Sequence, residues 1–68
     1  MIFKKLLDTL LNEQYITLYY NGEQVFEGLA LDLQGYHDFY NVAQVGYINT
    51  SFVEYQGELC INITIYTY

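Results

Sequence analysis

Few side chains in this 68-residue chain have types that could do chemistry. His37, the only imidazole, stands beside Asp38, a carboxylate that could orient it as a general base. Such a base needs a nucleophile or a polarising group at a recognisable spacing, and the sequence supplies none, so His37 reads as a loop histidine. Asp32, His37 and Asp38 have the donor types for a cation, but no compact ligand loop surrounds them. Cys60 has no cationic neighbour to lower its thiol pKa and reads as a packed or interface thiol. The expectation is a protein that is not an enzyme and needs no cofactor or metal.

Charge and aromatic content say more. The net charge is −6, and Lys4 and Lys5 are the only cations. Beyond them lie Asp8, Glu13, Glu23, Glu27, Asp32, Asp38, Glu54 and Glu58, with no fixed positive charge. Nucleic-acid binding draws its affinity from cations that displace counterions from phosphate, so direct contact with DNA or RNA is excluded as a reading. An acidic surface keeps a small protein dispersed, or draws it to a basic partner. Nine tyrosines add large, stiff contact area with polar tips, the kind of side chain protein interfaces favour. The alternative is that some of them cover the rim of an undersized core.

The elements that must position these groups follow from periodicity. Phe3, Leu6, Leu7, Leu10 and Leu11 repeat as one helix face, which predicts an amphipathic helix over about residues 2–13 with Asn12 near its C-cap. Its leucine stripe needs a surface to pack on. A lipid surface met through Lys4 and Lys5 is the lesser reading, since a sheet explains the same stripe. Tyr15–Tyr20 alternates as a strand and runs into Asn21-Gly22, a two-residue hairpin turn, with the return strand over 23–32 and Leu18 opposite Val25. Gly28 marks a bulge or a close backbone approach.

Residues 33–41 read as a loop with one helical turn bringing Phe39 and Tyr40 to the core, and 42–55 as one bent strand or two short ones. Gln56-Gly57 reverses the chain; a bulged turn there puts Val53 and Tyr55 on the face of Leu59 and Ile61. In the last strand Leu59, Ile61, Ile63 and Ile65 alternate with Cys60, Asn62, Thr64 and Tyr66, giving one buried and one wet face. The chain is therefore expected to be one α+β domain over 1–68, with an N-terminal helix on one face of an antiparallel sheet of about four strands. Function is expected on the wet face.

No apolar run is long enough to span a bilayer, and Asp8 interrupts the only stretch that resembles a leader, so a cytoplasmic protein without membrane contact is expected. The candidate contact residues are Glu23, Glu27, Glu54 and Glu58, spaced so as to imitate successive phosphates, with Tyr19 and Tyr66 among the outward tyrosines. Glu23 and Glu27 are separated by four strand residues, about 13 Å.

The helix Phe3-Lys4-Lys5-Leu6-Leu7-Asp8-Thr9-Leu10-Leu11, the turn Tyr20-Asn21-Gly22-Glu23 and the closing run Leu59-Cys60-Ile61-Asn62-Ile63 resemble the very small acidic proteins encoded by phages and other mobile elements of low-GC Gram-positive bacteria. Some of those are anti-CRISPR proteins, which block the DNA-contacting surface of an effector nuclease by acidic mimicry. The resemblance implies a non-enzymatic inhibitor whose partner is a basic surface on a CRISPR effector nuclease or another nucleic-acid enzyme. The alternative is a small structural or accessory protein that self-associates as a homo-oligomer through its tyrosines.

Overall fold

In a computed structural model, the structure describes residues 1–34 and 38–68; the side chains of Gln34, Asp38 and Phe39 also lie outside the description. The expectations placed on His37 and on the Phe39 side chain fall outside the described residues. Helix α1 spans Phe3–Thr9, and strands β1 (Tyr15–Tyr20) and β2 (Glu23–Leu29) follow. Helix α2 (Ala30–Gln34) and a 3-10 helix (Asp38–Val42) lead to β3 (Val45–Tyr55) and β4 (Glu58–Thr67). The α+β class with an N-terminal helix holds, and residues 45–55 form one strand.

The sheet has the order β2-β1-β4-β3. It is mixed, not purely antiparallel. Two hairpins, β1–β2 and β3–β4, lie side by side, with β1 parallel to β4 from Tyr15↔Asn62 to Tyr20↔Thr67. Neither hairpin has a second apolar layer of its own. Bringing β1 beside β4 sets Ile16 and Leu18 next to Ile63 and Ile65, a strip wide enough for Phe3 and Leu7 of α1 to cover. Among the described residues, Phe3, Leu7, Ile16, Leu18 and Ile65 are the largest fully buried side chains.

The helix stops earlier than its leucine repeat suggests. Leu10 has already turned extended (φ −84°, ψ 146°), and the Thr9 hydroxyl donates back to the Leu6 carbonyl. The helix lacks a side-chain N-cap and has no acid in its first turn; Lys4 and Lys5 stand there instead, against the dipole. Lys4 pairs with Asp8 at 2.9 Å on the exposed side. The Gln14 amide nitrogen then donates to the carbonyls of Tyr15 and Ile61, fixing the helix exit beside β4. Leu11 is left exposed.

Both hairpin turns are two-residue turns with positive φ throughout: Asn21 51° and Gly22 84°, then Gln56 52° and Gly57 80°. The second differs from the bulged turn expected at this point. Tyr55 faces Glu58, so Val53 pairs with Cys60, Glu54 with Leu59 and Phe52 with Ile61. A one-residue change of register exchanges the two faces of a strand, and Phe52 rather than Val53 therefore joins the aliphatic side of β4.

Two bulges adjust the sheet. In the first hairpin the register shifts between Leu18 and Tyr19, so Leu18 faces Phe26, not Val25, and Tyr19 faces Gln24. Gly28 is the close approach: a Cβ there would meet the Phe26 ring at 3.2 Å. The return strand ends at Leu29, where α2 begins. The second bulge falls at Gly46, where a Cβ would lie 3.1 Å from the Tyr68 ring. Tyr40 in the 3-10 helix packs against the core and meets the Tyr20 ring edge-on at 5.6 Å. Among the described residues no helix is long and apolar enough to cross a membrane.

The core is small, so its centre carries most of the stability. Ile65→Ala is expected to cost about 2–5 kcal/mol, a large share of what a domain of this size has, whereas Leu59→Ala costs under about 0.5 kcal/mol. Urea unfolding of the two variants against the parent chain measures the contrast.

Candidate protein-interaction surface

The face of the sheet away from α1 carries odd-numbered residues of β1 and even-numbered residues of β4. Its tyrosines form a row. Tyr19 and Tyr66 stack at 4.8 Å between ring centroids, and Tyr66 stacks on Tyr47 at 5.7 Å, so the row crosses β1, β4 and β3. Each ring gives a face to its neighbour, which covers the backbone beneath. Below the row, the Thr17 hydroxyl donates to Asn62 Oδ1 at 3.1 Å, and Asn62 Nδ2 donates to the hydroxyls of Thr64 at 3.3 Å and Ser51 at 3.5 Å. Asn62 and Thr17 are both buried, and these bonds satisfy them.

At the lower end, Tyr15 packs against Tyr55 at 5.3 Å and its hydroxyl donates to Glu27 at 2.5 Å. Glu27 also accepts from the Gln24 amide at 3.2 Å. The hydrogen bond to Glu27, then burial, then the carboxylate's negative charge hold the Tyr15 hydroxyl neutral, and its pKa is pushed up to about 12 from the usual 10.0. The wet face is thus largely a self-satisfied layer of rings and hydrogen bonds.

The structure brings Tyr19 and Tyr66 together but disperses the four glutamates. Glu23 closes the first hairpin opposite Tyr20, and Glu58 closes the second opposite Tyr55. Because β1 runs parallel to β4, these turns lie at opposite ends of the sheet, about 30 Å apart along the strands. The bulge in β2 also places Glu23 on the helix side with Tyr20 and Glu27 on the tyrosine side with Thr17, which separates a pair that an unbroken strand would keep on one face. Glu54 lies with Leu59 on the helix side; Glu58 lies with Tyr55 on the other. Glu23 stands at the far end and Glu54 on the opposite face, while Glu27 and Glu58 share the tyrosine side, with Glu27 held by Tyr15 and Gln24.

The helix side holds the feature that sequence reasoning missed. Along β4 the aliphatic stripe grows steadily more exposed as it leaves α1: Ile65 is 0% exposed, Ile63 is half-buried, Ile61 is 55% and Leu59 73% exposed. Phe52, opposite Ile61, is 72% exposed, and Ile48, opposite Ile65, is 44% exposed. The cause is length. Seven helical residues cover about 10 Å, whereas the ten residues of β4 run about 33 Å. The signal in the sequence was Gln56-Gly57: read as a two-residue turn, it sets Phe52 beside Ile61.

Compared with protein-family models, curated proteins and solved structures, the chain matches none. Among the described residues no group of His, Cys, Asp and Glu is placed to hold a metal ion.

The Tyr15–Glu27 contact has a pH signature. With Glu27 ionised, the contact's contribution to stability is complete below pH 10, where Tyr15 is neutral in the folded and unfolded chain alike, and is lost as pH rises from 10 towards about 12. An ultraviolet phenolate titration should show one of the nine tyrosines ionising late, and Glu27→Gln should bring it back towards 10. A late tyrosine that persists in that variant would exclude Glu27 as the cause.

Proposed function

We propose that this chain is a cytoplasmic, non-enzymatic protein-interaction module whose contact surface is the helix side of the β3–β4 hairpin. The supporting observation is the exposed apolar side of this hairpin, with Phe52, Leu59 and Ile61 together near its turn and Ile48 further along β3 beyond Thr50. These four side chains leave on the order of 400 Å² of apolar surface open, within the range of the largest patches on monomeric proteins, which often have a function. A flat aliphatic and aromatic surface suits another protein, where a Phe anchor becomes worth most once neighbouring contacts exclude water.

Inhibition of a nucleic-acid enzyme in the manner of the anti-CRISPR proteins stays within this class, favoured by the charge of −6. With Glu23 and Glu54 set apart from Glu27 and Glu58, the four do not line up as one row, which weighs against imitation of successive phosphates. For a basic partner, charge then steers the encounter and the apolar cluster supplies the hold. The stacked Tyr19, Tyr66 and Tyr47 serve the sheet first.

Affinity capture from host extract tests the reading with three baits: the parent chain, Phe52→Ser/Leu59→Ser, and a variant with glutamine at positions 23, 27, 54 and 58. A protein held by the first and third baits and lost from the second is the expected result. Retention by the serine variant with loss from the glutamine variant would return the contact to the acids.

A further inference from the structure

Building on that contact surface, we infer that, where no host partner occupies it, its occupant is a second copy of this chain, packed face to face so that the β3–β4 hairpins of two copies cover each other. Layer geometry is the first argument. Packed sheets lie about 10 Å apart, and a helix is about 10–12 Å across, so a second hairpin fits into the same layer as α1, on the part of β3–β4 that α1 leaves bare. The bare part of β4 begins at Ile61, whose carbonyl accepts from the Gln14 amide, and continues to the turn at Gln56-Gly57; on β3 the exposed side reaches back to Ile48.

Area is the second argument. The four apolar side chains of each copy contribute on the order of 800 Å² in total, and a rim of Thr50, Ile63 and the aliphatic stem of Glu54 brings the buried surface near the ~1,200 Å² at which specific interfaces begin. An isologous contact uses the same patch twice and closes on itself, so it forms a dimer and not a fibre. Charge is the third. Within the patch Glu54 is the only ionisable side chain on the helix side of β3, and it stands at the turn end beside Leu59, at the rim where it keeps its water.

Edge-to-edge pairing is the competing arrangement. β3 is an edge strand of eleven residues with neither proline nor lysine, and among the described residues only its start is shielded, by the Val45 amide bonding to Met1 and the Ile2↔Gln44 bridge. It would leave Phe52 and Leu59 in water, which is why the face-to-face arrangement is favoured.

Sedimentation of the purified 68-residue chain across micromolar concentrations tests the inference. The expected result is a reversible monomer–dimer equilibrium that tightens when salt rises from about 50 to about 500 mM, since screening relieves the repulsion between two copies of charge −6. Phe52→Ser and Ile61→Ser should each weaken it roughly tenfold or more while far-ultraviolet circular dichroism stays unchanged. A monomer throughout that range, or a dimer indifferent to both substitutions, overturns the inference. So does concentration-dependent protection of the Ile48, Thr50 and Phe52 backbone amides, which marks edge pairing. A monomer whose host partner is still lost on Phe52→Ser/Leu59→Ser refutes the dimer alone; a host contact indifferent to that change refutes the surface itself.

Discussion

A short helix has to cover a long sheet, and the rest of the molecule follows from that mismatch. α1 contributes Phe3 and Leu7 to the buried centre and then ends, while β3 and β4 continue past it by more than one helical turn's length. Where the helix lies, the sheet has a dense core of Ile16, Leu18 and Ile65. Where it does not, the same alternating pattern delivers Ile61 and Leu59 to water. The gradient of burial along a single strand is therefore a direct record of how far one element reaches. Burying apolar surface is the main favourable term in folding, and a chain this small gives up a sizeable part of it at its lower end.

Much of this was legible in the residues. The leucine repeat announced α1, Asn21-Gly22 announced the first turn, and the alternation from Leu59 to Ile65 announced β4, because each depends on local geometry with a fixed period. What local reasoning could not supply was which strands become neighbours. The parallel contact between β1 and β4 joins residues 47 apart, as at Tyr15↔Asn62, and no pattern within either strand encodes it. Register was the second blind spot. The bulge opposite Leu18 and the two-residue turn at Gln56-Gly57 each shift pairing by one residue, and each exchange changes which side chains share a face. That is why the glutamates scatter and why Phe52 enters the apolar cluster.

The tyrosines and carboxylates also take on different roles once placed. Tyr19, Tyr66 and Tyr47 lie across three strands as a roof over a polar ladder, and Tyr15 binds Glu27. Rings of this size shield backbone hydrogen bonds on a face that lacks a second layer, which stiffens the sheet without a second core. The carboxylates, spread over both faces and both ends, raise the cost of unspecific association everywhere except at the uncharged part of the hairpin. Repulsion and attraction are thus divided over the surface.

The parallel junction of the two hairpins has a kinetic consequence. Each hairpin closes through a two-residue turn, so its strands meet within microseconds of chain motion, whereas the β1–β4 seam must wait until a loop of more than forty residues closes. Closing that loop carries the larger entropic cost, because the local turns bring only their own strands together. Until it occurs, both strands of the future seam present open backbone, and the chain is most exposed to mispairing with its neighbours in the interval before its halves find each other.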